Sequence, residues 1–185
     1  MKKIVVVLIF ILILIGCEAK KQPSFDNDFP SMQDVDHVYQ KTTYTKALNL
    51  ILDNTGVLVL GYNEENPLNN RNTAEIIPLL NQVAIEVGYE EIYYLDVYDM
   101  KANNTTEYRL LLAYIDFTVG DLHLQNNSKQ IVTPDVYFIK DGKIVGHHIG
   151  TIENENGAFI QNLTIDQEAE LKDIYRDLFT RLMAE

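Results

Sequence analysis

The sequence predicts an α/β domain in which helices cover both faces of a central mixed β-sheet. A hairpin pattern at 135–149 predicts two antiparallel strands. The unbroken apolar, β-branched run at 57–62 predicts a central strand that is covered on both faces. Strand patterns of this kind alternate with helical apolar spacing, which is typical of this fold class. The 185 residues, 46% of them hydrophobic, are sufficient for one domain with a sizeable core and an N-terminal appendage.

The predicted elements alternate along the chain before the hairpin and end with a helix after it. In chain order they are a strand at 38–42, a helix at 43–54 capped by Thr43, a strand at 57–62, a helix at 73–87, a strand at 92–97, a helix marked by apolar residues at 111–119, the hairpin, and a helix at 164–183 that begins with the capping-box pattern Thr164/Gln167. The helix at 73–87 is expected to have Asn72 or Thr73 as its N-cap, to bend at Pro78 and to stop at Gly88.

The hairpin is the most strongly marked element. Its strands alternate and are rich in β-branched and aromatic residues, and the two residues between them suit a type I′ turn. In order, strand, turn and strand are Asp135–Lys140, Asp141-Gly142 and Lys143–Ile149. Pro134 stands at the strand entrance, where a proline removes no hydrogen bond from the strand interior. Gly150 closes the second strand, where we expect a close approach of backbone.

Thr133-Pro134, a hydrophobic strand, Lys140-Asp-Gly-Lys143 and a strand ending in Gly150 together resemble the C-terminal half of the thioredoxin family. The predicted order βαβαβαββα over residues 38–183 is similar to the order in that family. The resemblance implies a thioredoxin-like fold with a cis bond before Pro134. It also implies that Thr133 and Pro134 line the surface where substrates dock.

The cysteines of the family motif are missing. Thioredoxins carry Cys-x-x-Cys at the start of the helix that follows the central strand, where the helix N-terminus lowers the thiol pKa. In this chain, counting back from Pro78 places Asn70 and Thr73 at the cysteine positions. Counting from the end of the strand places Asn66 and Asn69 there, within Asn66-Pro67-Leu68-Asn69. Both alignments remain open, and in both the two sulfurs are absent.

Amide and hydroxyl side chains cannot exchange with disulfides, so the sequence predicts no disulfide oxidoreductase activity at this position. Without redox activity, the resemblance still implies a docking surface. It implies a groove in which an extended peptide pairs with the backbone beside Pro134. The predicted groove residues are Asn66, Pro67, Asn69, Asn70, Thr73, Thr133 and Pro134.

The N-terminal residues 1–17 have the pattern of a bacterial lipoprotein signal peptide. Lys2 and Lys3 precede the apolar run 4–15, and Leu14-Ile-Gly-Cys17 is similar to a lipobox. The apolar run is shorter than the roughly 20 residues that a membrane-spanning helix needs, so a cleaved signal is favoured over a membrane anchor. The resemblance implies cleavage before Cys17, a lipid on its sulfur, and attachment to the extracytoplasmic face of the cell membrane. The alternative is an ordinary secretory signal.

The composition after the signal predicts a flexible linker at 18–32, and the resemblance implies a thioredoxin-like domain at 33–185. Residues 18–32 contain lysine, proline, serine, aspartate and asparagine with few apolar positions. The net charge of the whole chain is −12, and loss of Lys2 and Lys3 makes it more negative. Because phosphate binding needs a basic surface, the charge argues against nucleic acid as a partner.

The histidines and the loop carboxylates form weaker patterns as candidate metal ligands or catalytic residues. His147 and His148 are adjacent on a strand, so their side chains are expected on opposite faces and cannot share a metal ion. His37 and His123 are isolated in sequence, so we expect no metal site and no cofactor. Four carboxylates, at Glu64, Glu65, Asp96 and Asp99, lie near predicted strand ends and suit solvated loop positions better than paired acid-base work.

The sequence therefore favours a non-redox thioredoxin-like lipoprotein that binds an as yet unknown protein or peptide client. Two alternatives remain. One is an accessory role in bacteriocin export or immunity, which only the resemblance to thioredoxin-like accessory proteins implies. The other is an enzyme that uses the loop carboxylates, for which the sequence shows no nucleophile, base and orienting group together. The fold alone does not decide among them.

Overall fold

A computed structural model describes residues 24–66, 71–119, 124–125 and 128–184. Over these residues the fold is α/β, with a five-stranded mixed sheet and six helices. The strands are β1 (Tyr39–Lys41), β2 (Gly56–Gly61), β3 (Ile92–Asp96), β4 (Leu124–Gln125), β5 (Ser128–Lys129), β6 (Asp135–Lys140) and β7 (Lys143–Ile149). The helices are α1 (Phe25–Asp28), α2 (Tyr44–Asp53), α3 (Arg71–Glu86), α4 (Tyr98–Ala102), α5 (Thr106–Val119) and α6 (Ile165–Met183), and a 3₁₀ turn spans Pro30–Met32.

The strand order of the main sheet is β1-β3-β2-β6-β7, while β4 and β5 pair separately. Strands β1, β3 and β2 are parallel, whereas β6 runs antiparallel to both β2 and β7. All six residues of β2 are buried, which confirms the predicted central strand. The pairing brings the C-terminal ends of β1, β2, β3 and β7 and the N-terminal end of β6 to one edge of the sheet.

Two helical layers cover the sheet, as predicted. The first layer contains α1, the 3₁₀ turn, α3 and α6, and it packs on Val57, Val59, Tyr94, Val136 and Phe138. The second layer contains α2 and α5, and it packs on Leu58, Leu60, Leu95, Tyr137 and Ile139. Because side chains alternate along a strand, β2 and β6 contribute to both layers.

Residues 24–32, which we call the N-terminal strap, are packed against the first layer, although the sequence placed them in the linker at 18–32. The rings of Phe25 and Phe29 lie 4.7 Å apart, and Phe25 stacks on Tyr39 at 4.5 Å. Phe25, Phe29 and Met32 are each no more than 3% exposed. The folded unit therefore includes the strap and does not begin at residue 33.

Polar contacts also hold the strap to the domain. Asp26 bonds to the ring of His37 at 2.7 Å, and Lys41 pairs with the Asp28 carboxylate at 2.7 Å. The loop after β2 contacts the same segment. The Glu64 N–H donates to the Asp28 carbonyl at 2.7 Å, and the Glu64 carboxylate accepts the Ser31 N–H at 3.0 Å. The strap is thus bonded directly to the loop that precedes α3.

The sequence does not predict α4, and α5 begins at Thr106, before the apolar positions 111–119 that marked it. The ends of the other predicted helices agree with the sequence except at the start of α3. This helix begins at Arg71, so Asn72 and Thr73 lie in its first turn and neither is the N-cap. Pro78 lies inside the helix as predicted. Gly88 ends it with a φ of +74°, and the Tyr89 N–H donates to the carbonyl of Ala84. Thr164 and Gln167 form the predicted capping box of α6.

The hairpin has the predicted strands and turn. Asp141 and Gly142 both have positive φ, +50° and +70°, as a type I′ turn requires. The register changes by one residue between Phe138 and Ile139, so that Val145 forms a bulge in β7. Beyond the bulge, Tyr137 is opposite His147 and Val136 is opposite His148. Within the described part of the chain, every helix is too short or too polar to span a bilayer.

Candidate functional site

The candidate site lies at the sheet edge where β2 and β7 end and β6 begins. Antiparallel pairing places Leu60 opposite Asp135 and places Asp135 opposite Ile149. The turn 133–134 therefore lies beside the end of the central strand. This position follows from strand order alone and does not depend on any one side chain.

The Thr133–Pro134 peptide bond is cis. The Gly150 N–H donates to the Pro134 carbonyl at 2.9 Å and closes the turn against the end of β7. Gly150 has a φ of +62°, and a Cβ there would lie 2.8 Å from the Phe159 ring. The close approach expected at this glycine is confirmed.

Thr133 stands before the cis proline of this turn. It is half-buried, and none of the described residues forms a hydrogen bond with its N–H or its carbonyl. Buried backbone groups are almost always paired, so an unpaired donor and acceptor at a strand entrance are available to a binding partner. The arrangement suits addition of an extended segment by main-chain hydrogen bonds.

Not all of the predicted groove residues have side chains that are exposed at the surface. Pro67, Asn69 and Asn70 lie outside the described residues, so neither proposed alignment of the cysteine positions is decided. Asn66 is 8% exposed and its N–H donates to the Asn63 carbonyl, while Thr73 is 1% exposed. Pro134 is buried as well. Among the described members, Thr133 is therefore the one with accessible surface.

A buried polar cluster that sequence reasoning missed lies directly behind the turn. Asp135 is 1% exposed and accepts a short hydrogen bond from the Tyr137 hydroxyl. His147 Nδ1 lies 3.3 Å from the Asp135 carboxylate, and its ring stacks on Tyr137 at 5.7 Å. Burial, followed by the nearby Asp135, raises the pKa of Tyr137 well above its ordinary value, so this hydroxyl stays protonated and continues to donate.

The central strand β2 carries no acidic residue. The acid is instead on the neighbouring strand β6, immediately after Pro134. The available signal was an aspartate at the first position of a buried strand, followed two residues later by a tyrosine on the same face. The cluster therefore begins at the residue that directly follows the cis proline.

The adjacent histidines lie on opposite faces of the sheet, as predicted. His147 joins the second layer through Tyr137, whereas the His148 ring packs edge-on against Tyr175 at 5.7 Å in the first layer. Burial lowers the pKa of His148 to about 4, so its ring is neutral at pH 7. His37 is held by Asp26, and His123 lies outside the described residues.

The loop carboxylates have local structural contacts. Asp96 accepts hydrogen bonds from the Asn63 side chain at 3.2 Å and from the Tyr98 N–H at 2.9 Å. Glu64 holds the strap through Ser31, and Glu65 and Asp99 are exposed. The contacts of Asp96 and Glu64 are those of residues that order loops.

In the described ranges, no three His, Cys, Asp or Glu side chains come together so that they could hold a metal ion. No protein-family model matches the chain, and no curated protein matches it either.

Proposed function

We propose that this chain is a thioredoxin-like lipoprotein without dithiol chemistry, and that it binds an extended segment of another protein at the extracytoplasmic face of the cell membrane. The mixed sheet, with strand order β1-β3-β2-β6-β7, and the helices on both of its faces support the thioredoxin-like assignment. Both features agree with the fold that the resemblance implies.

One observation is the main support for the binding role. The backbone N–H and carbonyl of Thr133 have no hydrogen-bond partner among the described residues, at the entrance of a strand in the middle of the sheet edge. An extended segment supplies the matching carbonyl and N–H, so pairing with Thr133 adds affinity with little demand on sequence. The hydrogen bond from the Gly150 N–H to the Pro134 carbonyl holds the turn, so little ordering is required on binding.

The cysteine content supports a non-redox role. The chain has a single cysteine, Cys17, which lies in the lipobox-like motif. Thiol–disulfide exchange at a dithiol needs two sulfurs, and the chain cannot supply them by itself. If the purified protein reduced a model disulfide at rates similar to those of thioredoxins, the proposal would be wrong.

The membrane location is tested at Cys17. We expect a radiolabelled fatty acid to be incorporated into the wild-type chain, and the Cys17→Ala variant to lose both the label and the membrane attachment. Retention of the label in the variant would contradict lipidation at this residue. Lys2→Ala is a control that leaves the cysteine intact.

The binding role is tested by photo-crosslinking in native membranes. A photoreactive residue at Thr133 is expected to capture one protein reproducibly, with the crosslinks confined to one extended segment of it. The matched control is the same probe at Asp173, which has 75% of its side chain exposed on α6 away from the turn. A synthetic peptide of the captured segment should then compete with the capture. Equal capture at both positions, or none at Thr133, would overturn the binding role.

A further inference from the structure

A second surface, separate from the Thr133 turn, lies along the outward side of α3. We call it the α3 groove. It has a volume of about 750 Å³ between this helix and a wall formed by the end of the strap and the residues that follow it. Ala74, Pro78 and Ile85 form the helix wall, and Met32 and Val35 stand on the opposite wall. The helix residues are spaced by four and seven positions, which places them on one face.

The groove exposes aliphatic surface where a helix is ordinarily polar. Ile85 is 47% exposed and Val35 is 46% exposed, and they lie on opposite walls. Ala74 and Pro78 are also exposed. A contiguous apolar strip of this kind, with polar residues at its rim, is typical of a protein interaction site.

The walls are held together by one buried side chain. Asn81 is 4% exposed, and its amide oxygen accepts the Val38 N–H at 3.1 Å. Its amide nitrogen donates to the Asp36 carbonyl at 2.9 Å. Asn81 thus ties α3 to the segment opposite, so the groove exists before any partner binds, and a partner loses less free energy to ordering.

The charge of the groove restricts its partner. The carboxylates of Asp36, Glu64 and Glu86 line it, and no lysine or arginine is found among its described lining residues. Glu86 pairs with Arg176 at 2.8 Å, and Glu64 accepts the Ser31 N–H. A second copy docked face to face would place these carboxylates against their equivalents, and an anionic lipid surface would be repelled in the same way.

We propose that the α3 groove docks an amphipathic helical segment of a partner protein, one whose apolar stripe is flanked by lysines or arginines. The apolar stripe would cover Val35, Pro78 and Ile85, and the flanking cations would face Asp36 and Glu64. This is the helix-in-groove mode of recognition. It does not depend on the peptide-binding role of Thr133, because the two surfaces share no residue.

Fluorescence anisotropy of a labelled model helix tests the proposal on the full-length chain in phosphatidylcholine nanodiscs. The probe helix carries leucines on one face and lysines at the flanks, and the control helix has glutamate in place of every lysine. Empty nanodiscs measure binding to lipid. We expect saturable binding of the lysine helix, about tenfold or more tighter than that of the glutamate helix. Equal binding of the two helices, or no binding of either, overturns the proposal.

Two variants locate the binding in the groove. Val35→Ser and Ile85→Ser are each expected to weaken binding of the lysine helix about tenfold, because each removes aliphatic contact area without changing the charge. Leu110→Ser is the matched control, since Leu110 is 45% exposed on α5 in the second layer. Wild-type affinity in both groove variants would overturn the proposal.

The charge requirement has its own pair of variants. Asp36→Lys is expected to weaken binding of the lysine helix about tenfold and to reduce its dependence on salt. Asp53→Lys changes the net charge equally at an exposed position on α2 and should leave the affinity unchanged. All of these positions are exposed, and circular dichroism will confirm that each variant is folded. Equal effects of the two charge variants would contradict docking in the groove.

Discussion

Tyr137 in the second layer and Tyr175 in the first layer bury their hydroxyls in different surroundings. In the second layer, the Tyr137 hydroxyl donates to Asp135, and the Tyr108 hydroxyl accepts the Ile131 N–H at 3.3 Å. In the first layer, the Tyr39 hydroxyl donates to the Ile77 carbonyl at 2.8 Å. The hydroxyls of Tyr94 and Tyr175, by contrast, are buried and have no hydrogen-bond partner among the described residues. The rings there contribute mainly by apolar burial and stacking. The hydroxyls of Tyr137 and Tyr175 should therefore contribute differently to stability.

The largest effect is expected where the first layer depends on aromatic packing. Phe29→Ala removes a ring that is 1% exposed and lies edge-on to Tyr94 at 5.0 Å. We expect a loss of about 3–5 kcal/mol in the free energy of unfolding, measured by urea denaturation. Phe117→Ala is the control, because Phe117 is 91% exposed and should change little. A loss below about 1 kcal/mol at Phe29 would show that the strap is not part of the core.

Acid should destabilise the first layer through His148. Burial lowers the pKa of this ring from 6.5 to about 4, so the unfolded chain binds the proton more readily than the folded chain between these values. Stability from this group is complete above about pH 6.5 and falls as the pH drops toward 4, by an amount on the order of 3 kcal/mol. Chemical denaturation at several pH values measures this slope. His148→Leu should flatten it, and an unchanged slope in that variant would assign the acid sensitivity to other groups.

In the second layer, Tyr137→Phe should cost about 1–3 kcal/mol, because it leaves the buried Asp135 carboxylate without the hydroxyl donor. The ring and its stacking on His147 are retained, so the change isolates the hydrogen bond. Urea denaturation at neutral pH gives the difference in free energy of unfolding. A variant as stable as the wild type would mean that this hydrogen bond makes no net contribution to the free energy of unfolding.

The smallest effect is expected at Tyr175, the first-layer counterpart of Tyr137. Its hydroxyl has no hydrogen-bond partner among the described residues, so Tyr175→Phe removes a buried polar group without breaking a bond. The free energy of unfolding should stay within about 0.5 kcal/mol of the wild type or increase. If Tyr175→Phe and Tyr137→Phe cost equally, the contrast between these two tyrosines would be wrong.

Local sequence patterns predicted most of the fold. The type I′ turn at Asp141-Gly142, the capping box at Thr164/Gln167 and the stop at Gly88 each depend on a few neighbouring residues, and all three are present. The strap was missed because its apolar residues are separated by polar ones. Phe25, Phe29 and Met32 nevertheless follow the spacing of one helical face, which the composition of residues 18–32 obscured.

The polar cluster behind the turn could not be assembled from the sequence, because it depends on a bulge. Counting outward from the Asp141-Gly142 turn without a bulge would place His147 opposite Val136, in the first layer. The extra residue Val145 shifts the register by one, so His147 faces Tyr137 and approaches Asp135. A one-residue change in register moves a side chain to the other face of a sheet, and the local pattern does not reveal it.

Amide hydrogen exchange at Thr133 tests directly whether the backbone of this residue is open to a binding partner. In the free chain we predict that the Thr133 N–H exchanges nearly as fast as an unprotected amide, whereas the Gly150 N–H, bonded to the Pro134 carbonyl, is protected. Adding the segment identified by crosslinking should protect Thr133 and leave Gly150 unchanged. If the Thr133 amide of the free chain were as protected as that of Gly150, its backbone would already be paired, which would contradict an open docking edge.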